Sequence, residues 1–244
     1  MTSPDLIKKY TVQVPRYTSY PTVPYWDTTE FDTAKWLESV KLSFAQSNQK
    51  DGISLYVHLP YCENLCTYCA CNKRITKNHK VEIPYIQAVI KEWALYKEHF
   101  DTKPQIKEIH LGGGTPTFFD PQNLKMLIDG LLENCIIHPQ AEFSFEAHPS
   151  NTTREHLEVL HALGFKRLSL GIQDFDPKVQ FIINRMQSFE KVKQVFQSTA
   201  NQFYGITGPL LLNAAGDRSI GTFDYWGIVN QNGTYTWKWV GRSG

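Results

Sequence analysis

Between Gly52 and about Val195, short apolar runs alternate with amphipathic stretches, and this rhythm restricts the fold more than any other feature of the chain. Ile53–Leu59, Ile106–Leu111, Glu142–Glu146 and Arg167–Gly171 read as strands of five to seven residues. A helical stretch follows each one. Glu82 to Phe100 carries Ile86, Val89, Ile90, Trp93 and Tyr96 at spacings of three and four. Asp120-Pro121 opens a second helix as acidic N-cap and first-turn proline, with Leu124, Leu127, Ile128 and Leu131 on one face. Thr152-x-x-Glu155 offers a capping box for a third, which Gly164 ends, and a fourth is expected to run from Asp176-Pro177 towards Val195. Four strand-then-helix units in succession predict an α/β fold with a parallel sheet, either open or a partial barrel.

The flanks differ from this middle. Residues 1–50 hold Pro15, Pro21 and Pro24 among Tyr10, Tyr17, Tyr20 and Tyr25, the pattern of an extended aromatic arm, with a short helix near Thr33 to Ala45. Residues 196–244 have few charges and three of the six tryptophans, and the β/α rhythm has stopped. Asn230-Gln-Asn-Gly233 followed by Thr234–Val240 reads as a β-hairpin with Tyr235, Trp237 and Trp239 on one face. Three divisions are therefore expected: arm 1–50, α/β domain 51–195 and β-rich tail 196–244.

Composition narrows the function classes. A formal charge of +1 gives no basic footprint for nucleic acid, and no stretch reaches the roughly 18 apolar residues of a membrane span. With no secretory signal pattern at Met1-Thr2-Ser3-Pro4-Asp5, a cytoplasmic protein is expected. Four of the five cysteines fall within ten residues, unlike a disulfide framework, which spreads cysteines to close loops.

Those four stand as Cys62-x3-Cys66-x2-Cys69-x-Cys71, just after the first strand. Three thiolates so spaced can wrap one compact centre. Thiolates are the preferred ligands of iron–sulfur clusters, and a four-iron cluster with three protein ligands leaves one iron open to substrate. The alternative is zinc, whose thiolates usually come as two separated pairs; no second pair or His-x3-5-His follows here.

Gly112-Gly-Gly-Thr-Pro-Thr117 follows the second strand directly, where bare backbone would let a ligand lie close. Glu146 ends the third strand and Gln173 lies just past the fourth. Loops at the C-terminal ends of parallel strands share one rim, so cysteines, glycines, Glu146 and Gln173 are expected around one cleft. Asn72–Lys80 is a basic run, read first as solvated and otherwise as a surface for carboxylates or an acidic electron donor. Cys135 and His110 read as core residues.

Tyr56-x-His58-x-Pro60-x-Cys62-x3-Cys66-x-Tyr68-Cys69-x-Cys71 resembles the coproporphyrinogen oxidase branch of the radical S-adenosylmethionine superfamily. The resemblance covers about residues 10–195 and implies a partial (β/α) barrel of the radical SAM type, here incomplete. It implies that Cys62, Cys66 and Cys69 hold a [4Fe–4S] cluster and that Cys71 does not. It also implies that Tyr56, Tyr68, Gly113, Gly114, Thr115, Glu146, Gln173 and Arg185 hold S-adenosylmethionine.

The implied reaction is oxidative decarboxylation of coproporphyrinogen III propionates to vinyl groups, giving protoporphyrinogen IX in haem biosynthesis. A 5′-deoxyadenosyl radical would abstract the hydrogen. The implied partners are a small-molecule porphyrinogen and an electron-donor protein, the enzyme being a monomer. Val14–Thr22 resembles the arm of the oxidase and favours it over the related haem-chaperone branch. Phe203–Arg218 with Tyr225–Asn230 resembles instead the end of a type I periplasmic-binding fold, as in natriuretic-peptide-type receptors. Two such resemblances predict a chimera joined near Val195 to Gln202, whose truncated first part is an inactive fragment in the alternative reading.

Overall fold

The computed structural model describes residues 25–26 and 32–199, and beyond them the backbone of strands at 204–205, 208–209, 223–231 and 234–243. Most of the aromatic arm, and the side chains of the tail with its Tyr235, Trp237 and Trp239 face, lie outside the described residues. The chain divides into a unit of residues 1–43 and a larger unit of residues 44–244. Helix α1 is Thr33–Ser47, and Asp32 Oδ1 begins it by accepting from the Ala34 N–H at 2.8 Å.

In the larger unit, β1 (Ile53–Leu59), β4 (Gln105–Gly113), β5 (Ile136–Ala147), β6 (Phe165–Leu170) and β7 (Tyr204–Gly205) lie side by side in that order, every neighbouring pair parallel. A short antiparallel strand, β8 (Gly208–Pro209), completes the six-stranded sheet. Between the strands come α2 (Glu82–Lys97), α3 (Pro121–Leu132), α4 (Arg154–Ala162), α5 (Pro177–Ile182) and α6 (Phe189–Thr199). Two short strands, β2 (Tyr61–Cys62) and β3 (Arg74–Ile75), pair beside the sheet. Strands β9 (Phe223–Gln231) and β10 (Thr234–Ser243) form the expected antiparallel hairpin. Among the described residues the sheet is open and does not close into a barrel.

The strand period of two separates the sheet into unlike faces. Val57 and Leu59, Ile109 and Leu111, Phe143 and Phe145, and Phe165 are buried in one continuous core. Leu124, Leu127, Ile128 and Leu131 of α3 join that core almost wholly buried, each contributing about 1.5–3 kcal/mol. Trp93 of α2 ties its helix to α3 by donating from Nε1 to Leu131 O at 2.9 Å. The opposite register of the same strands is polar: Ser54, Tyr56 and His58, then Glu108 and His110, then Glu142, Ser144 and Glu146, then Arg167 and Ser169. Ser54 Oγ donates to Glu108 Oε2 at 2.7 Å, and Arg167 pairs with Glu142 across β5 and β6.

Glu82 is a fully buried charge at the start of α2. Its Oε2 accepts from the Asp120 N–H and from Asn123 Nδ2, both at 2.8 Å, and its Oε1 lies 2.6 Å from His79 Nδ1. Full hydrogen bonding makes such burial tolerable, and it pins the start of α3 to the start of α2. Sequence periodicity had no means of singling this residue out.

Three local expectations need correction. The capping box of α4 is Thr153 with His156 rather than Thr152 with Glu155: Thr152 turns back to His148 O at 2.8 Å, leaving the next threonine to cap. The helix expected from Asp176 to Val195 is broken into α5 and α6. Asp176 caps α5 as expected, but Asn184 takes a φ of +51° and ends it. His110 is not a core residue; it lies on the polar face of β4.

Candidate functional site

The C-terminal ends of β1, β4, β5 and β6 lie along one edge, as parallel strands require, and the expected site residues are in the segments at and beyond them. Cys62 follows β1, Thr115 follows β4, Glu146 precedes the last residue of β5, and Gln173 follows β6. Gln173 holds a φ of +69°, uncommon for a residue with a side chain.

None of the five cysteines is in a disulfide; Cys62, Cys66 and Cys69 are partly buried and Cys71 is exposed. Cys62 Sγ meets Thr115 Oγ1 at 3.3 Å, linking the cysteine loop to the glycine loop. Burial first, then the neighbouring Cys69 and Cys66, push the Cys62 thiol up, against the opposing effects of Thr115 and Arg185. Lys73 Nζ donates to Cys69 O at 2.9 Å and Cys71 O at 3.1 Å, so this member of the basic run ties down the loop rather than being simply solvated. Cys135 Sγ donates to Leu131 O at 3.3 Å, in keeping with a packing role.

Arg185 stands in the break between α5 and α6 and reaches the loop from the far side. Its Nη1 donates to Cys66 Sγ at 3.6 Å and its Nη2 to Gly171 O at 2.5 Å, while its Nε is buried with no hydrogen-bond partner. His148, just past β5, is pushed down to about 4 by burial and then by the Arg185 charge. Tyr68 is half exposed; burial raises its phenol, Arg185 opposes that, and Cys66 adds to it.

A polar chain spans the open face of the sheet. His58 Nε2 lies 2.6 Å from Asn72 O, and its Nδ1 lies 3.1 Å from the Tyr56 hydroxyl. The Tyr56 ring stacks on His110 at 5.8 Å. His110 in turn sets Nδ1 2.8 Å from Ser144 Oγ and Nε2 3.6 Å from Glu146 Oε1. Burial first, then Glu146 and Cys71, raise the Tyr56 phenol. Tyr56 and Glu146 were expected at the site; His110, the residue between them, was not. Its position opposite Tyr56 and Ser144 in the strand register is the signal that would have found it.

The glycines have a reason other than the one expected. A Cβ on Gly113 would fall 2.5 Å from the His58 ring, and one on Gly114 only 2.6 Å from the Pro60 carbonyl carbon. Gly113 also holds a φ of +104°. The Gly114 N–H donates to Leu59 O at 2.8 Å and the Thr115 N–H to Tyr61 O at 2.9 Å. Their bareness therefore lets the turn press against the chain leaving β1, which fixes the glycine loop beside the cysteines.

The donor set fits an iron–sulfur cluster. Among the described residues no three His, Cys, Asp or Glu side chains converge on one point, as ligands of a single ion do. A cluster of several irons takes its thiolates on separate metal atoms, so their sulfurs face one centre from further apart than the ligands of a single ion do. The orphaned Nε of Arg185 is a further donor at the same rim, suited to an anionic group.

The sequence profile of the Radical SAM superfamily matches residues 56–211. An oxygen-independent coproporphyrinogen III oxidase of Pseudomonas aeruginosa is 36% identical over an alignment of 206 residues that covers 82% of this chain and 43% of the relative. One of Helicobacter pylori is 40% identical over 78% of this chain and 41% of its own length. The structure of coproporphyrinogen III oxidase from Escherichia coli, described as a radical SAM enzyme, superposes with a TM-score of 0.69 at 33% identity. That superposition covers 79% of this chain and 42% of the other. The chain thus spans about two-fifths of the length of these relatives.

The family match runs through the junction expected at 195–202 and eight residues or so past Phe203. With the family match continuing across that point, the expected chimera with a periplasmic-binding fold is not borne out. Of the two segments that carried the second resemblance, Phe203–Arg218 lies almost wholly outside the described residues, and Tyr225–Asn230 falls in β9. With its parallel sheet and its match over most of its length, the chain belongs to the radical SAM superfamily.

Proposed function

We propose that this chain forms the cluster- and S-adenosylmethionine-binding portion of an oxygen-independent coproporphyrinogen III oxidase. In this reading Cys62, Cys66 and Cys69 hold a [4Fe–4S] cluster, and Tyr56, Tyr68, Gly113, Gly114, Thr115, Glu146, Gln173 and Arg185 hold S-adenosylmethionine. The observation that carries it is the joining of three distant segments at one rim: Cys62 meets Thr115, and Cys66 meets Arg185. When bound, the cluster supplies the electron that makes S-adenosylmethionine a source of a carbon radical, and the protein positions the reactants.

The chain's own groups divide the remaining work. Arg185 keeps Nε free for a carboxylate while its other nitrogens are fixed by Cys66 and Gly171. Glu146, held beside His110, accepts hydrogen bonds from hydroxyl or amino groups of the cofactor. The polar face of the sheet, from Ser54 to Arg167, gives an anionic porphyrinogen polar groups to lie against. The reading extends to oxidative decarboxylation of coproporphyrinogen III, an electron-donor protein partner, a monomeric state and a cytoplasmic setting. Among the described residues no helix is long and apolar enough to cross a membrane.

The test is anaerobic reconstitution with iron and sulfide, followed by reduction and addition of S-adenosylmethionine. Formation of 5′-deoxyadenosine by the wild-type chain, lost in Cys62→Ala, Cys66→Ala and Cys69→Ala, is the expected result. A reconstituted chain that makes none does not have this function.

A further inference from the structure

We infer that Thr67 and Asn184 form a latch that holds the middle of the cysteine loop in the shape that receives the cluster, an inference that rests on the cluster reading above. The two ends of the loop are secured by their own neighbours. The Arg74 N–H donates to Pro60 O at 2.8 Å and the Thr76 N–H to Cys62 O at 2.9 Å, while Lys73 Nζ secures Cys69 O. The stretch around Cys66 lies between these anchors, and its hold comes from more than a hundred residues away.

Besides the contact of Arg185 with Cys66, three hydrogen bonds with residues 182–184 make that hold. The Thr67 N–H donates to Ile183 O at 3.1 Å, Thr67 Oγ1 donates to Ile182 O at 3.1 Å, and Asn184 Nδ2 donates to Leu65 O at 2.8 Å. They flank Cys66 on both sides. The carbonyls of Ile182 and Ile183 are available because α5 stops there, and it stops because Asn184 takes a left-handed conformation that asparagine tolerates better than most residues.

Burial does not account for the break. Phe181, Ile182 and Met186 are 80%, 67% and 60% exposed. What the interruption achieves is the alignment of two carbonyls and one amide with residues 65–67. Thr67 and Asn184 are themselves exposed, so their loss is felt by the loop more than by the core.

The experiment compares the reconstituted full chain with Asn184→Gly, which keeps the backbone conformation and deletes the amide, and with Thr67→Val and Thr67→Ser. The readouts are the rate at which a ferrous chelator strips the cluster, followed by visible absorbance, and urea unfolding of each cluster-free protein. The latch predicts about fivefold faster stripping in Asn184→Gly and Thr67→Val, with Thr67→Ser close to wild type and cluster-free stability unchanged. Wild-type stripping rates in the variants overturn it, as do rates that rise only in step with loss of cluster-free stability. A wild-type chain that takes up no cluster overturns the function proposed above and the latch with it.

Discussion

Gly171 leaves the space that the Arg185 guanidinium occupies: a Cβ there would lie 2.7 Å from Arg185 Nη2, whose own hydrogen bond is to Gly171 O. The clash would fall on the end of a flexible side chain, so the backbone need not move. Gly171→Ala is therefore expected to keep the stability of the cluster-free protein within about 0.5 kcal/mol. It should weaken S-adenosylmethionine binding by about tenfold, the worth of one charge-assisted hydrogen bond. Calorimetric titration of the reconstituted variant, beside urea unfolding of the cluster-free form, checks both halves.

Gly114 presents the opposite case, because its missing Cβ would strike backbone atoms of Leu59 and Pro60 rather than a movable side chain. Gly114→Ala should cost about 1–3 kcal/mol in unfolding free energy with no cofactor present. An unchanged urea midpoint would return the glycine to the purely ligand-cradling role that its position in the sequence first suggests.

Glu82 is the buried anchor between α2 and α3. Replacing it with alanine strands the Asp120 N–H and Asn123 Nδ2, both in partly buried hydrogen bonds, at a cost on the order of 3 kcal/mol. Urea unfolding of Glu82→Ala measures this directly.

The sheet was legible from its alternation: Ile53–Leu59 is reproduced end to end, and the other three strands contain or largely overlap their expected cores. So was the second helix, whose Asp120 accepts from the Gln122 N–H as its N-cap pattern implies. The break at Asn184 was not, because its partners, Leu65 and Thr67, are 115 to 119 residues away and leave no local mark. His110 was misread because alternation says that a strand has two faces without saying which one faces the helices. Glu82 escaped notice because a charged residue near a helix start reads as exposed. For the glycines, composition showed that space was needed and could not show that β1 fills it.

His148 gives a pH dependence with a definite sign. Folded, it takes its proton only near pH 4; unfolded, near the ordinary 6.5. Between those values the unfolded chain binds the extra proton, so stability falls as pH drops from about 6.5 towards 4 and flattens below. Discounted for partial exposure, the loss is on the order of 2 kcal/mol. Ser150 N–H donates to His148 Nδ1 at 3.1 Å, a bond that needs this nitrogen unprotonated. Urea unfolding of the cluster-free protein at several pH values should show the slope, and His148→Gln should remove that part of it.

The proposed cluster is held by Cys62, Cys66 and Cys69, without Cys71, and has one iron open to S-adenosylmethionine. Electron paramagnetic resonance of the reduced, reconstituted chain tests it most directly. The expected result is a four-iron signal that changes when S-adenosylmethionine is added, present in wild type and Cys71→Ala and absent in Cys62→Ala, Cys66→Ala and Cys69→Ala. A signal that ignores S-adenosylmethionine, or that disappears in Cys71→Ala, would contradict it.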